Sequence, residues 1–146
     1  MQAGTFIVFA FLIGAISAIY LPMNSSVARH LGSPLTASIT FYFVALVTSI
    51  LIFVIFGNPE TLQNIKSVPT YLYLTGFISA FIVLSITVLI PVLGARKLVI
   101  LSLSGQIIMA MIVSHLGILE SPVDPINIKK VVGAALFISG AIVSVS

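Results

Sequence analysis

The sequence predicts an all-α polytopic membrane protein with five transmembrane helices, and three observations predict it. Of 146 residues, 60% are apolar and only 6% carry a formal charge, far below the roughly 25–35% charged residues of a soluble surface. The apolar stretches are long and continuous, whereas a transmembrane barrel is written in short alternating segments. The few cations stand at the ends of those stretches, where they mark membrane–water boundaries. The net charge of +3 is therefore no sign of a nucleic-acid partner; the lipid bilayer is the expected one. With no cysteine in the chain, disulfides and thiolate chemistry are excluded.

The first span covers about residues 5–28 and ends at Arg29-His30. Residues 1–4 hold no Lys or Arg, so a cleaved signal is not expected and the helix is read as retained. Pro22 lies inside it, removes a backbone hydrogen bond and crowds the carbonyl of Ala18, so a kink or local opening is expected there. Ala10, Gly14, Ser17, Asn24 and Ala28 recur at helical spacing as a small and polar stripe, with Tyr20 beside it.

Gly32-Ser33-Pro34 is a turn that supplies an N-cap and a first-position proline to the second span, 34–56. Ser38, Tyr42, Ala45 and Ser49 form its polar stripe. Residues 59–68 are polar and allow either a short helix capped by Asn58 or a plain loop. The third span, 69–94, keeps Gly76, Ala80, Val83 and Thr87 on one face, and Pro91 kinks or ends it. The basic turn Arg96-Lys97 leads into the fourth span, 98–117, which has no charge unless His115 is protonated. Twenty such residues are enough to cross a bilayer. Gln106 sits near the middle of this span. An amide in hydrocarbon has to face another helix or a wet cavity, so Gln106 is read either as the wall of a site or as helix glue. Asp124-Pro125 repeats the cap-plus-proline signal and predicts a last helix over 125–146. The whole chain, 1–146, reads as one transmembrane domain.

Orientation is balanced. Lys66, Lys129 and Lys130 fall on one side, and Arg29, Arg96 and Lys97 on the other. Cytoplasmic loops normally carry the excess of Lys and Arg. A tie fits dual topology, in which two inverted copies pair, and also fits a fixed orientation set by other signals. The last helix offers a pairing face in Gly133, Phe137, Gly140 and Ser144, since small residues let helices approach closely in lipid. The same face could instead pack within its own bundle.

Glu60, Glu120 and Asp124 all fall outside the spans, so no mid-membrane carboxylate is available for a proton relay or a counter-ion. No catalytic constellation, metal cluster or cofactor motif is visible, and an enzyme is not expected. The interior is neutral and aromatic. Gln106 and Asn24 are the candidate orienting groups for a small-molecule substrate, with Ser17, Tyr20, Ser38, Tyr42 and Thr87 as neighbours. Tyr20, Phe41 and Tyr42 could also take an organic cation on their ring faces. A neutral, amphipathic or organic-cation solute is the substrate class this allows. A scaffold, a lipid-flipping protein and a channel-like protein are the alternatives.

The run from Asn24 to Pro34 (NSSVARHLGSP) resembles the end of the first helix and the first turn of the YdcZ-like short branch of the drug/metabolite transporter superfamily. Phe41 and Ala45 fit its second helix. Gly105-Gln106, His115 and Gly117 resemble its fourth. Gly133 and Gly140 resemble its last helix, and also the dimerising helix of small multidrug resistance transporters. The chain departs from the pattern at Tyr20, where a glutamine is common, and at Ser114, where an acid is common, so ion coupling is not carried over. The resemblance implies a bacterial inner-membrane transporter. It would form half of a ten-helix inverted-repeat fold, completed by a second inverted copy or an inverted paralogue.

Overall fold

The computed structural model describes residues 2–146. Five helices long and apolar enough to cross a membrane are present among them: α1 (Gln2–Leu31), α2 (Pro34–Phe56), α3 (Leu74–Leu93), α4 (Ala95–Leu116) and α5 (Ile128–Val145). No strand occurs among the described residues. Most large apolar side chains point outward; Phe11, Ile39 and Phe77 are at least 70% exposed. Such a surface is stable only against lipid, since soluble monomers rarely expose contiguous apolar patches beyond a few hundred Å².

Local signals set the helix ends. α1 runs unbroken through Pro22 and extends to Leu31, where Gly32 at φ 68 reverses the chain. The Ser33 N–H donates to the Ala28 carbonyl at 3.2 Å, the longer bond of a Schellman ending. Ser33 then caps α2, its hydroxyl accepting from the Thr36 N–H, with Pro34 as first helical residue. Residues 59–67 form a 3-10 helix capped by Asn58, which accepts from the Glu60 N–H at 3.0 Å. A 3-10 turn at Thr70–Tyr73 leads into α3, which continues two residues past Pro91.

The last helix begins later than the Asp124-Pro125 signal predicts. α5 starts at Ile128 with Asn127 as its cap, accepting from the Lys130 N–H at 3.1 Å. Asp124 is engaged elsewhere. Its N–H donates to the Ser114 carbonyl at 2.9 Å, and its carboxylate pairs with the Lys130 ammonium. Lys130 also donates to the Pro125 carbonyl at 2.7 Å. These bonds fold the 117–127 segment back onto the ends of α4 and α5.

Packing within the chain divides it into two compact units, one running to Val92 and the other from Leu93 to Ser146. In the first, α1 packs directly against α2, and side-chain hydrogen bonds join α3 to both. In the second, α4 packs against α5. Arg96 reaches along this pair and donates to the Ser144 carbonyl at 2.7 Å and its hydroxyl at 3.1 Å. This binds the start of α4 to the end of α5.

Gly117 ends α4 at φ 62, a left-handed conformation that costs other residues roughly 1–2 kcal/mol. A Cβ placed there would stand 2.6 Å from Val123 Cγ2. Gly117→Ala is therefore expected to lower the thermal unfolding midpoint of the purified protein, with a penalty of about 1–2 kcal/mol or more. An unchanged midpoint would show that the turn yields freely.

Candidate functional site

The first unit is built around a buried polar node. Asn24, Ser25 and Thr87 are 8%, 1% and 1% exposed, the buried polar residues of the described chain. Thr87 donates its hydroxyl proton to the Val83 carbonyl one turn back, at 2.7 Å, and accepts from Asn24 Nδ2, also at 2.7 Å. Pro91 explains the third member. It has no N–H to give to the carbonyl four residues earlier, which is that of Thr87. The Ser25 hydroxyl donates to that carbonyl across the helix interface, at a longer 3.4 Å. A proline inside a membrane helix is tolerated where a neighbouring helix meets the freed carbonyl in this way.

Beside the node, α1 and α2 enclose an open cleft of about 490 Å³, walled by Tyr20, Asn24, Thr40, Phe41, Val44 and Ala45 among others. Tyr20 and Phe41 stack with ring centroids 6.2 Å apart and planes 20° from parallel. Phe41 meets Tyr42 edge-on at 5.1 Å. Asn24 lies seven residues before the end of α1, about 10 Å along its axis, so the α1 wall of the cleft belongs to the C-terminal half of that helix.

The residues singled out from sequence are distributed as follows. Asn24, Tyr20 and Phe41 share this cleft, and Thr87 lies behind it as the partner of Asn24. Tyr42 and Ser38 border a second, apolar cleft of about 560 Å³ against α3, with Phe77, Ala80 and Phe81. The Tyr42 hydroxyl meets the Ser79 hydroxyl at 2.7 Å. Ser38 donates to the Pro34 carbonyl at 3.1 Å and Ser17 to that of Ile13 at 2.8 Å, both within their own helices. In the second unit, Gln106 is exposed at mid-length of α4 and has no hydrogen-bond partner among the described residues. Gly133 and Gly140 are exposed on α5, and a Cβ on either would meet no atom within 4 Å. Phe137 on the same helix is 39% exposed, and Ser144 is held by Arg96.

Ser25, Ser79 and Thr40 are the residues that sequence reasoning passed over. Thr40 was within reach of it, because Thr40, Phe41, Val44 and Ala45 follow the i, i+1, i+4, i+5 pattern of one helix face. Ser25 and Ser79 carry no comparable signal, since their partners are 62 and 37 residues away.

Five lipid-facing helices define a multi-pass α-helical membrane protein, and its first unit holds, between α1 and α2, a cleft with an aromatic wall and no charged lining. The chain belongs to the family described as "Putative inner membrane exporter, YdcZ", whose model matches residues 5–143. No curated protein and no solved structure matches it. The protein is accordingly a multi-pass component of the bacterial inner membrane.

The Asn24–Thr87 bond is testable in isolation. A double-mutant cycle with Asn24→Leu and Thr87→Val is expected to give a coupling of roughly 0.5–1.5 kcal/mol in detergent unfolding, within the range of interhelical hydrogen bonds in membranes. A coupling of zero would mean that the two side chains do not stabilise each other.

Proposed function

We propose that the protein exports a small, mainly apolar molecule that binds in the Tyr20–Asn24–Phe41 cleft, and that it works as an inverted pair of chains. The cleft carries the reading. Its volume suits a small organic solute, its walls are mainly apolar and aromatic, and Asn24, Thr40 and the Tyr20 hydroxyl place a few polar groups among them, the usual composition of a ligand pocket.

Two features support the pairing. Gln106 is a mid-span amide that its own unit leaves unbonded among the described residues, and in hydrocarbon such a group needs a partner. A second copy or the substrate supplies one. Gly133 and Gly140 leave α5 open to a close approach that nothing in the second unit makes, with Phe137 beside them. The three-against-three division of Lys and Arg gives the chain no reason to insert one way only. In an inverted pair, the two clefts would be inverted with respect to the membrane, the symmetry that alternating access uses.

The test is transport in liposomes with a panel of fluorescent neutral and cationic solutes. The parent chain is expected to move at least one of them. Gly133→Leu/Gly140→Leu is expected to disperse the pair and stop transport. Gln106→Leu is expected to stop or redirect transport with the pair intact. Full transport by a dispersed double variant would overturn the inverted pair, and full transport by Gln106→Leu would remove that side chain from the mechanism.

A further inference from the structure

We infer that the Tyr20–Asn24–Phe41 cleft selects uncharged aromatic solutes that carry an N–H or O–H donor. This rests on the cleft being the substrate site, as proposed above.

The selection follows from where protons go. A threonine hydroxyl has one proton to donate and two lone pairs to offer. The Thr87 proton is used on the Val83 carbonyl, 2.7 Å away. What Thr87 turns to Asn24 is therefore lone pairs, and only an N–H can face them favourably. This fixes the amide with Nδ2 toward Thr87, at 2.7 Å; the opposite orientation would set oxygen against oxygen. Asn24 Oδ1 is left with no donor, and no buried side-chain N or O atom lacks a partner among the described residues. Oδ1 is therefore accessible, and Asn24 forms part of the cleft wall. With Nδ2 committed to Thr87, Oδ1 is the Asn24 atom free to serve the cleft, as a fixed acceptor.

Thr40 repeats the arrangement on the facing helix. It lines the same cleft, and its hydroxyl proton is used on the Ala37 carbonyl at 2.9 Å, so it too offers lone pairs. Two acceptors on opposite walls call for a donor on the ligand. The Tyr20 hydroxyl can serve in either sense.

Charge narrows the class further. Two acceptor oxygens repel an anion. All three carboxylates of the chain lie outside the spans, at Glu60, Glu120 and Asp124, so a cation leaving water would meet ring faces but no opposite charge, and its desolvation would stay uncompensated. A neutral solute pays neither cost. The near-parallel Tyr20 and Phe41 rings favour a ligand with a ring of its own to stack on them.

The experiment compares indole, 1-methylindole and tetraphenylphosphonium on the full chain in lipid nanodiscs, with protein-free discs subtracted. The chain contains no tryptophan, so indole emission belongs to the ligand alone. The two indoles share an aromatic body and differ in the N–H. Indole is expected to bind saturably and roughly tenfold or more tighter than 1-methylindole, the effect of leaving a polar group unmatched, and tetraphenylphosphonium is expected not to displace it. In Thr87→Val the amide is free to turn, and the preference for indole over its methylated form is expected to fall toward one. The ligand comparison stands on the parent chain even if that variant does not fold. Equal affinity for the two indoles, or tighter binding of the cation, would overturn the donor rule while leaving the cleft as the site. Absence of saturable binding by all three would overturn the cleft reading with it.

Discussion

The first unit depends on a single constraint: inside a membrane, no polar group can turn to water for its hydrogen bonds. At Thr87 this constraint is met in three directions at once. Its hydroxyl serves Val83, its lone pairs serve Asn24, and its carbonyl, left without the donor that Pro91 lacks, is met by Ser25. One residue thus joins α3 to α1 and allows a proline in α3. It also fixes the orientation of an amide that faces a cleft. The hydrogen bonds that hold the helices together and the polar character of the site have the same source.

The five spans were legible because hydrocarbon thickness demands about twenty apolar residues in a row, and nothing else in a chain of this composition produces such runs. The polar stripes were legible for the same reason that an amphipathic helix is: 3.6 residues per turn assigns each side chain to a face. What spacing cannot give is register between helices. Asn24 and Thr87 could each be placed on an inward stripe, but the bond between them joins residues 63 apart. Tyr42 shows the same limit at short range. It follows Phe41 in the chain, yet about 100° of helical rotation turns it to the α3 side, where it meets Ser79. Likewise, Asp124 carried a strong cap signal, but its bonds to Ser114 and Lys130 hold it in the preceding segment, and Asn127 takes the cap.

The second unit is organised differently. The polar bonds between its elements lie at its ends, where Arg96 joins Ser144 and the 117–127 segment folds back through Asp124 and through His115, whose Nδ1 accepts from the Ile126 N–H at 3.1 Å. Two consecutive left-handed residues, Leu119 and Glu120, accompany that reversal, at a cost of about 1–3 kcal/mol each. Between these fastened ends, no side-chain hydrogen bond among the described residues joins the middle of α4 to that of α5, where Ser104 and Ser139 bond only within their own helices, and there Gln106, Gly133 and Gly140 are exposed. Family membership makes the protein a membrane transporter of the inner membrane; the exposed middle is where the proposed pairing would act.

The account requires that the Asn24 cleft hold water or solute rather than lipid tails. The absence of native cysteine allows this to be read directly in membrane vesicles opened to both faces, with a membrane-impermeant maleimide. Ala45→Cys places a thiol in the cleft wall, and Val47→Cys places one at nearly the same depth on the opposite side of α2, which is also exposed in the single chain. The account predicts that the thiol at position 45 is labelled at a rate near that of a water-exposed cysteine, while the thiol at 47 stays unlabelled. If both remain unlabelled, the cleft is filled by lipid, and the reading of Asn24 as part of a substrate site is contradicted.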